Sequence, residues 1–297
     1  GDRTLVDDID LGHLQHVGSP RVDASLRPRS QPNNRLVVNM PTNRLVVRLR
    51  GMCNVALITG ASADGIGRAV ALELASRGVP VVLVARSRAG LEESAAVVRS
   101  AGGTARTECL DVTDRSAVDA TLAHLVDDAW PVDILVNNAA DLTLGDALDC
   151  TDETWDRVLA VNLTAPFLLS RVVGRSMVRN GWGRIVNVSS VAGEKALPGC
   201  AAYGVSKAAL VHLTRVMALE MARANVTVNA VSLGPILTDR MMSAHTPESR
   251  KWLVSQVPAR RMGDPAAVAR IVGVLASPES DYITGQVWAV DGGASIA

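Results

Sequence analysis

Tyr203 and Lys207, four residues apart, are the most reactive pair that the sequence offers. Within a helix that spacing puts both side chains on one face. A free phenol, with a pKa near 10, is a slow acid or base at neutral pH, whereas an adjacent ammonium stabilises the phenolate and lowers that value. The pattern Y-x-x-x-K alone arises by chance in many helices. Thirteen residues before Tyr203, however, the stretch IVNVSS ends in Ser189 and Ser190. A hydroxyl there, Ser190 more than Ser189, can orient a carbonyl and stabilise the negative charge that hydride attack creates on its oxygen.

Hydride chemistry needs a carrier, and TGASADGIG, Thr59 to Gly67, reads as the place that holds one. Gly60, Gly65 and Gly67 let the chain turn tightly between an apolar run and a helix. Their backbone, with that of Ser62 and Ile66, approaches a pyrophosphate at the N–H groups of the new helix. The next apolar run ends in Ala85-Arg86, where an Asp or Glu would bind the ribose 2′-hydroxyl of NAD. The Arg86 guanidinium suits the 2′-phosphate of NADP instead, so NADPH is expected over NADH.

The elements that must position these groups are legible as alternating patterns. The apolar runs 55–59, 81–84, 134–136, 185–188, 226–231 and 287–290 read as buried strands. Between them, residues 68–77, 91–101, 116–127, 155–173, 202–222 and 266–276 carry apolar side chains at three- and four-residue intervals, the mark of amphipathic helices. This alternation predicts one α/β domain, 51–297, a Rossmann-like doubly wound parallel sheet with helices on both faces. Its ligands should sit beyond the carboxyl ends of the strands.

Residues 1–50 lack that alternation and read as an extension. Within it Arg-Leu-Val-Val occurs twice, at Arg35–Val38 and Arg44–Val47, which suggests a hairpin.

Composition excludes several classes. Thirty acidic and thirty basic residues leave no net charge, so no overall field favours nucleic acid or an anionic membrane. No uninterrupted apolar run reaches the roughly eighteen residues of a membrane helix, and the first residues do not read as a secretion signal. Cys53, Cys109, Cys150 and Cys200 lie far apart without a C-x-x-C pair, so no metal site is expected, and free thiols point to a reducing, cytoplasmic compartment.

From about Met52 to Gly293 the chain resembles the short-chain dehydrogenases/reductases. The resemblance rests on TGASADGIG, Asp111-Val112, Asn137-Asn138-Ala139-Ala140, Asn162, Ser190, Tyr203/Lys207, Gly234-Pro235 and Asp291-Gly292-Gly293, in that order. It implies a catalytic tetrad of Asn162, Ser190, Tyr203 and Lys207, with Asn162 positioning a water that relays protons to Lys207. It also implies that Tyr203 and Lys207 meet the cofactor, Lys207 at the nicotinamide ribose. Adenine contacts at Asp111 and Val112, a backbone contact at Asn138, carboxamide contacts at Ile236 and Thr238, and a homotetramer are implied in the same way.

The sequence departs from the family in three places. The glycine loop is one residue longer, Asn-Asn-Ala-Gly is Asn-Asn-Ala-Ala, and Pro-Gly is Leu233-Gly234. The segment from Thr238 to Gly263 most resembles 3-oxoacyl-[acyl-carrier-protein] reductases. The two arginines with which such enzymes grip the carrier protein fall here on Gly181 and Ala224, with Arg179 and Arg223 nearby.

The expected activity is NADPH-dependent reduction of a ketone or β-ketoacyl substrate, free or as an acyl thioester, to a secondary alcohol, with a carrier protein the less supported partner. The alternatives are an NAD-dependent alcohol dehydrogenase and a non-catalytic nucleotide-binding regulator. An intact tetrad argues against the last.

Overall fold

The computed structural model of the chain describes residues 35–39, 44–48, 54–62 and 64–297. All of them fall in one compact unit, Asn33–Ala297. Strands β1 (Arg35–Asn39) and β2 (Arg44–Arg48) pair antiparallel with Leu36 opposite Val47, the hairpin that the repeated Arg-Leu-Val-Val suggested. The rest of the proposed extension lies outside the described residues.

Seven parallel strands make the central sheet: β3 (Val55–Thr59), β4 (Val81–Ala85), β5 (Ala105–Cys109), β6 (Val132–Asn137), β7 (Gly183–Ser190), β8 (Val226–Leu233) and β9 (Val287–Val290), in the order β5-β4-β3-β6-β7-β8-β9. The chain adds strands to one side of β3 and then crosses to the other at β6. This reversal opens a crevice at the carboxyl ends of β3 and β6.

Successive side chains of a strand point to opposite faces, and both faces here are dry. Ala56, Ile58, Leu83, Val136 and Val186 pack under α1 (Ile66–Ser76), α2 (Arg88–Ser100) and α9 (Pro265–Leu275). Leu57, Val82, Leu135, Ile185 and Val228 pack under α3 (Arg115–Asp127), α5 (Ala165–Asn180) and α6 (Ala201–Met221). Two-sided burial is why the strands read as continuous apolar runs rather than alternating ones.

Two elements differ from expectation. The edge strand β5, Ala-Arg-Thr-Glu-Cys, has no apolar run because only β4 pairs with it, and its Arg106 is held by Glu108 and Asp128. The helix expected over 155–173 is instead α4 (Asp152–Leu159), a π-helical turn over Ala160–Thr164, and α5. The stretch Asp152–Asn180 is long and apolar enough to cross a membrane by length and composition. Half of its most apolar window is buried in the fold, as in a core helix.

Candidate active site

The side-chain hydroxyl of Thr59, at the end of β3, fixes the crevice. It donates to the Val136 carbonyl at 3.4 Å and accepts from the backbone N–H groups of Asn138 at 3.0 Å and Ala139 at 2.9 Å. The Asn138 amide returns the link, donating to the carbonyls of Thr59 and Gly60 at 2.9 and 3.1 Å. The ends of β3 and β6 are thus tied together where the sheet reverses direction.

Gly60 turns the chain with φ +70°, in the left-handed region that an L side chain resists. A Cβ on Gly67 would lie 2.4 Å from the Gly60 carbonyl oxygen. The two glycines therefore let the turn fold back on itself. No side chain caps α1, which starts after Gly65 with no acid in its first turn. By contrast α2, α3 and α4 are capped by Ser87, Asp114 and Thr151. The uncapped N–H groups and the dipole of α1 face the crevice and favour an anion. This cradle fits the pyrophosphate of a dinucleotide.

Past the cradle, Arg86 follows β4 and Asp111 follows β5. Thr113 donates twice to the Asp111 carboxylate, at 3.0 and 2.7 Å. These bonds, helped by the Arg86 charge, hold Asp111 below the usual carboxylate range. Asp64, in the longer glycine loop, is exposed on the same wall.

Ser190 ends β7 and Tyr203 lies in the first turn of α6. Neither α6 nor α1 has a side-chain cap, so the positive end of the α6 dipole also meets the crevice. Lys207 is 2% exposed, and its Nζ donates to the Val188 carbonyl at 2.8 Å and lies 5.8 Å from the Tyr203 ring centre. Burial, with the Arg240 charge, pulls the Lys207 ammonium down to about 8.

The Tyr203 phenol is pushed up instead, because burial outweighs the hydrogen bond from Ser190 and the Arg240 charge. The expectation that Lys207 depresses Tyr203 is therefore not met in this state. The price of burial falls on both groups, so the phenol stays protonated and the ammonium becomes a readier acid.

Asn162 lies in the π-helical turn and is fully buried. Its Oδ1 accepts from the Asp141 N–H at 2.7 Å, and its Nδ2 donates to the Asp141 carbonyl at 2.9 Å and to Ser206 Oγ at 3.0 Å. The side chain thus braces the loop after β6 against the tyrosine helix, with both amide protons and one acceptor position of Oδ1 used. Its backbone carbonyl lacks an α-helical donor, because Pro166, four residues on, has no N–H. A π-helical turn at such a point is a frequent mark of a functional site.

A cavity of about 940 Å³ runs along the crevice. Gly60, Ser62, Gly65, Ile66, Gly67, Arg86, Asp111, Val112 and Asn138 line one end; Ser190, Tyr203, Lys207, Ile236 and Thr238 line its middle. Asn162 alone of the residues expected from sequence is not on the wall. Ala140, which replaces the usual glycine, is outside the left-handed region, so its Cβ introduces no strain. Among the described residues no cluster of His, Cys, Asp or Glu could hold a metal ion.

The far end of the cavity was not legible in the sequence. The short helices α7 (Asp239–Ala244) and α8 (Pro247–Ser255) bring Arg240, Met241, Trp252 and Leu253 over it. Arg157 pairs with Asp141 at 3.0 Å on its wall. Composition marks none of these; only the distance between Thr238 and Gly263 hints at a covering segment.

Residues 60–295 match the family model described as Enoyl-(Acyl carrier protein) reductase. The 3-oxoacyl-[acyl-carrier-protein] reductase of Vibrio cholerae is 42% identical over 239 residues, 80% of this chain and 96% of that protein. Its Escherichia coli counterpart is 38% identical over the same shares. The chain belongs to the short-chain dehydrogenase/reductase family.

It is an oxidoreductase of that family, with the nicotinamide dinucleotide site the fold requires. Among solved structures, an actinorhodin polyketide ketoreductase variant with NADPH superposes with a TM-score of 0.79 at 34% identity, covering 82% of this chain and 98% of the other. NAD+-bound xylitol dehydrogenase gives 0.76 at 34%, covering 81% and 98%. Solved structures of equal sequence identity to this chain thus carry either dinucleotide.

Proposed function

We propose that this short-chain dehydrogenase/reductase is a ketoreductase that reduces the keto group of a β-keto substrate to a secondary alcohol, with NADPH preferred. The observation that carries it is Ser190 and Tyr203 together on the wall of the cavity that the glycine cradle opens into, with Tyr203 held protonated. When bound in the glycine cradle, a nicotinamide dinucleotide would supply the hydride for the carbonyl carbon. Ser190 Oγ donates to the carbonyl oxygen and orients it, and the phenol of Tyr203 gives that oxygen its proton. Lys207, poised near 8, replaces the proton on Tyr203. Asn162 keeps the α6 face and the loop after β6 in register, and its carbonyl holds the water that reconnects Lys207 to solvent.

Preference for NADPH rests on Arg86 and is opposed by Asp64, which stands on the same cavity wall. That acid favours the second reading, an NAD-dependent alcohol dehydrogenase working in the oxidative direction. We place Asp111 and Val112 at the adenine, Asn138 beside the cofactor backbone, and Ile236 and Thr238 at the carboxamide.

The assembly we propose is a homotetramer. Phe167 and Val178 on α5, Val216 and Leu219 on α6, and Tyr282 and Ile296 near β9 leave apolar surface exposed, as subunit contacts require. The unpaired thiols of Cys109, Cys150 and Cys200 agree with a cytoplasmic setting. A carrier protein remains the less supported partner, since Gly181 and Ala224 stand where its arginine grip is expected.

The test is a panel of ketones and 3-oxoacyl thioesters with NADPH and with NADH, followed by absorbance. Oxidation of NADPH by a β-keto substrate at a higher kcat/KM than with NADH is the expected result. Turnover only of alcohols with NAD+ would support the second reading.

A further inference from the structure

The substrate end of the cavity holds a cation that neither the tetrad nor the nucleotide cradle uses. Arg240 stands in the first turn of α7, and its Nη1 donates to the Ala140 carbonyl at 2.6 Å. That bond ties the guanidinium to the loop after β6, on the wall of the cavity that Ser190 and Tyr203 also line. Its charge is felt there, favouring the Tyr203 phenolate and disfavouring the Lys207 ammonium.

The other charges at this end already have partners. Asp141 is taken by Arg157 and Thr143, and Lys195 donates to a backbone oxygen of Ala297, the last residue of the sequence. Arg240 forms no ion pair among the described residues. A guanidinium has five N–H donors, and the bond to Ala140 occupies one. The wall beside it is apolar, with Leu144, Leu197, Met241, Trp252 and Leu253. Arg240 is itself exposed to the cavity, so its remaining donors are open to a ligand, and a carboxylate can take two parallel N–H bonds from them.

We propose that Arg240 is the specificity-determining residue of this site and binds the carboxylate of a small oxo acid whose keto group lies against Ser190 and Tyr203. The inference rests on the ketoreductase reading and narrows it. The preferred substrate is a free 3-oxo acid with an apolar tail rather than its neutral ester or thioester. Arg240, Ser190 and Tyr203 line the same cavity, so one small molecule can present its carboxylate to the first and its ketone to the other two.

Acetoacetate and methyl acetoacetate share the ketone and differ in the charge. The ratio of their kcat/KM values with NADPH should favour acetoacetate in the wild-type protein. It should fall about tenfold or more in Arg240→Gln, as expected when a charge-assisted hydrogen bond is lost, and be largely kept in Arg240→Lys. Taking the ratio cancels any general effect of Arg240 on Tyr203. A wild-type preference for the ester, or a ratio unchanged within about twofold in Arg240→Gln, would overturn the proposal.

If the wild type reduced neither compound, the ketoreductase reading would be judged by the wider panel of ketones and thioesters, and calorimetry on the NADP-loaded protein would still decide the Arg240 question. Tighter binding of 3-hydroxybutyrate than of its methyl ester, lost in Arg240→Gln, supports the carboxylate site. Equal binding of acid and ester refutes it.

Discussion

The two ends of the cavity are built from different materials. The nucleotide end is backbone: a positive φ at Gly60, a glycine at 67 with no room for a Cβ, and an uncapped helix start. The substrate end is side chain, with Arg240, Trp252 and Leu253 carried on two short helices and Arg157 reaching Asp141. Backbone geometry tolerates few residue types, so it leaves a readable trace. Long side chains on short helices can be exchanged without altering the fold, which is how one scaffold accepts different substrates.

The reacting groups lie between these ends, and the largest expected effect is there. Tyr203→Phe removes the transferable proton and keeps the ring, so kcat for ketone reduction should fall roughly 10²–10⁴-fold. NADPH binding, followed by fluorescence titration, should barely change. Near-normal kcat with chemistry rate-limiting would remove Tyr203 from its role and make both ends mere binding surfaces.

Arg86→Ala tests the side chain on which the proposed NADPH preference rests. NADPH should weaken roughly ten- to hundredfold and NADH little, since a hydrogen bond to a charged group contributes about 1.5–3 kcal/mol. Equal losses in titrations with the two cofactors would place Arg86 away from the 2′-phosphate. Gly67→Ala tests the backbone itself. The added Cβ would crowd the Gly60 carbonyl at 2.4 Å, and overpacking of this kind costs about 1–3 kcal/mol. Both dinucleotides should weaken together while the ranking of ketones stays as it was; a changed ranking would mean that the two ends are not separable.

Lys207 joins the ends through its burial, and the sign of its pH effect follows from its lowered value. Its ammonium titrates at about 8 in the folded protein, against 10.5 for an unperturbed lysine. Between those values the unfolded chain binds more protons, so this group's contribution to stability rises with pH across the window. Below about 8 the full cost applies, about 3 kcal/mol for that gap. Relative to wild type, Lys207→Met should therefore be most stable below pH 8 and lose that advantage by pH 10.5 in denaturant melts. A stability difference flat in pH would mean that the ammonium keeps its ordinary value in the folded protein, and so is not desolvated there.

How far the sequence could be read follows the same division. The strands buried on both faces, the glycine turn and the order of Ser190, Tyr203 and Lys207 were legible because each answers to a steric or chemical demand. The polar edge strand β5 was not, because pairing with β4 rather than its own composition makes it a strand. The π-helical turn at Asn162 was hidden inside an unbroken apolar periodicity. Arg240 could not be connected to Ala140, one hundred residues away, without the sheet that brings them together.

The smallest effect concerns the extension. The cradle, Arg86 and the tetrad all lie beyond residue 50, so we propose that a protein beginning at Gly51 folds, binds NADPH and reduces its ketone, with any loss confined to oligomer stability by light scattering. A soluble, correctly assembled truncation without activity would put part of the active site in the first fifty residues.

The family model that matches this chain takes its description from reduction of a carbon–carbon double bond, whereas the role we propose for Ser190 and Tyr203 is to polarise and protonate a carbonyl. The decisive measurement offers 3-oxoacyl and trans-2-enoyl thioesters of equal chain length with NADPH deuterated at the nicotinamide C4, and follows the products by mass spectrometry. A 3-hydroxyacyl product with one deuterium on the hydroxyl-bearing carbon, and an untouched enoyl thioester, is the expected outcome. A deuterated saturated acyl product, with the ketone left unreduced, would contradict it.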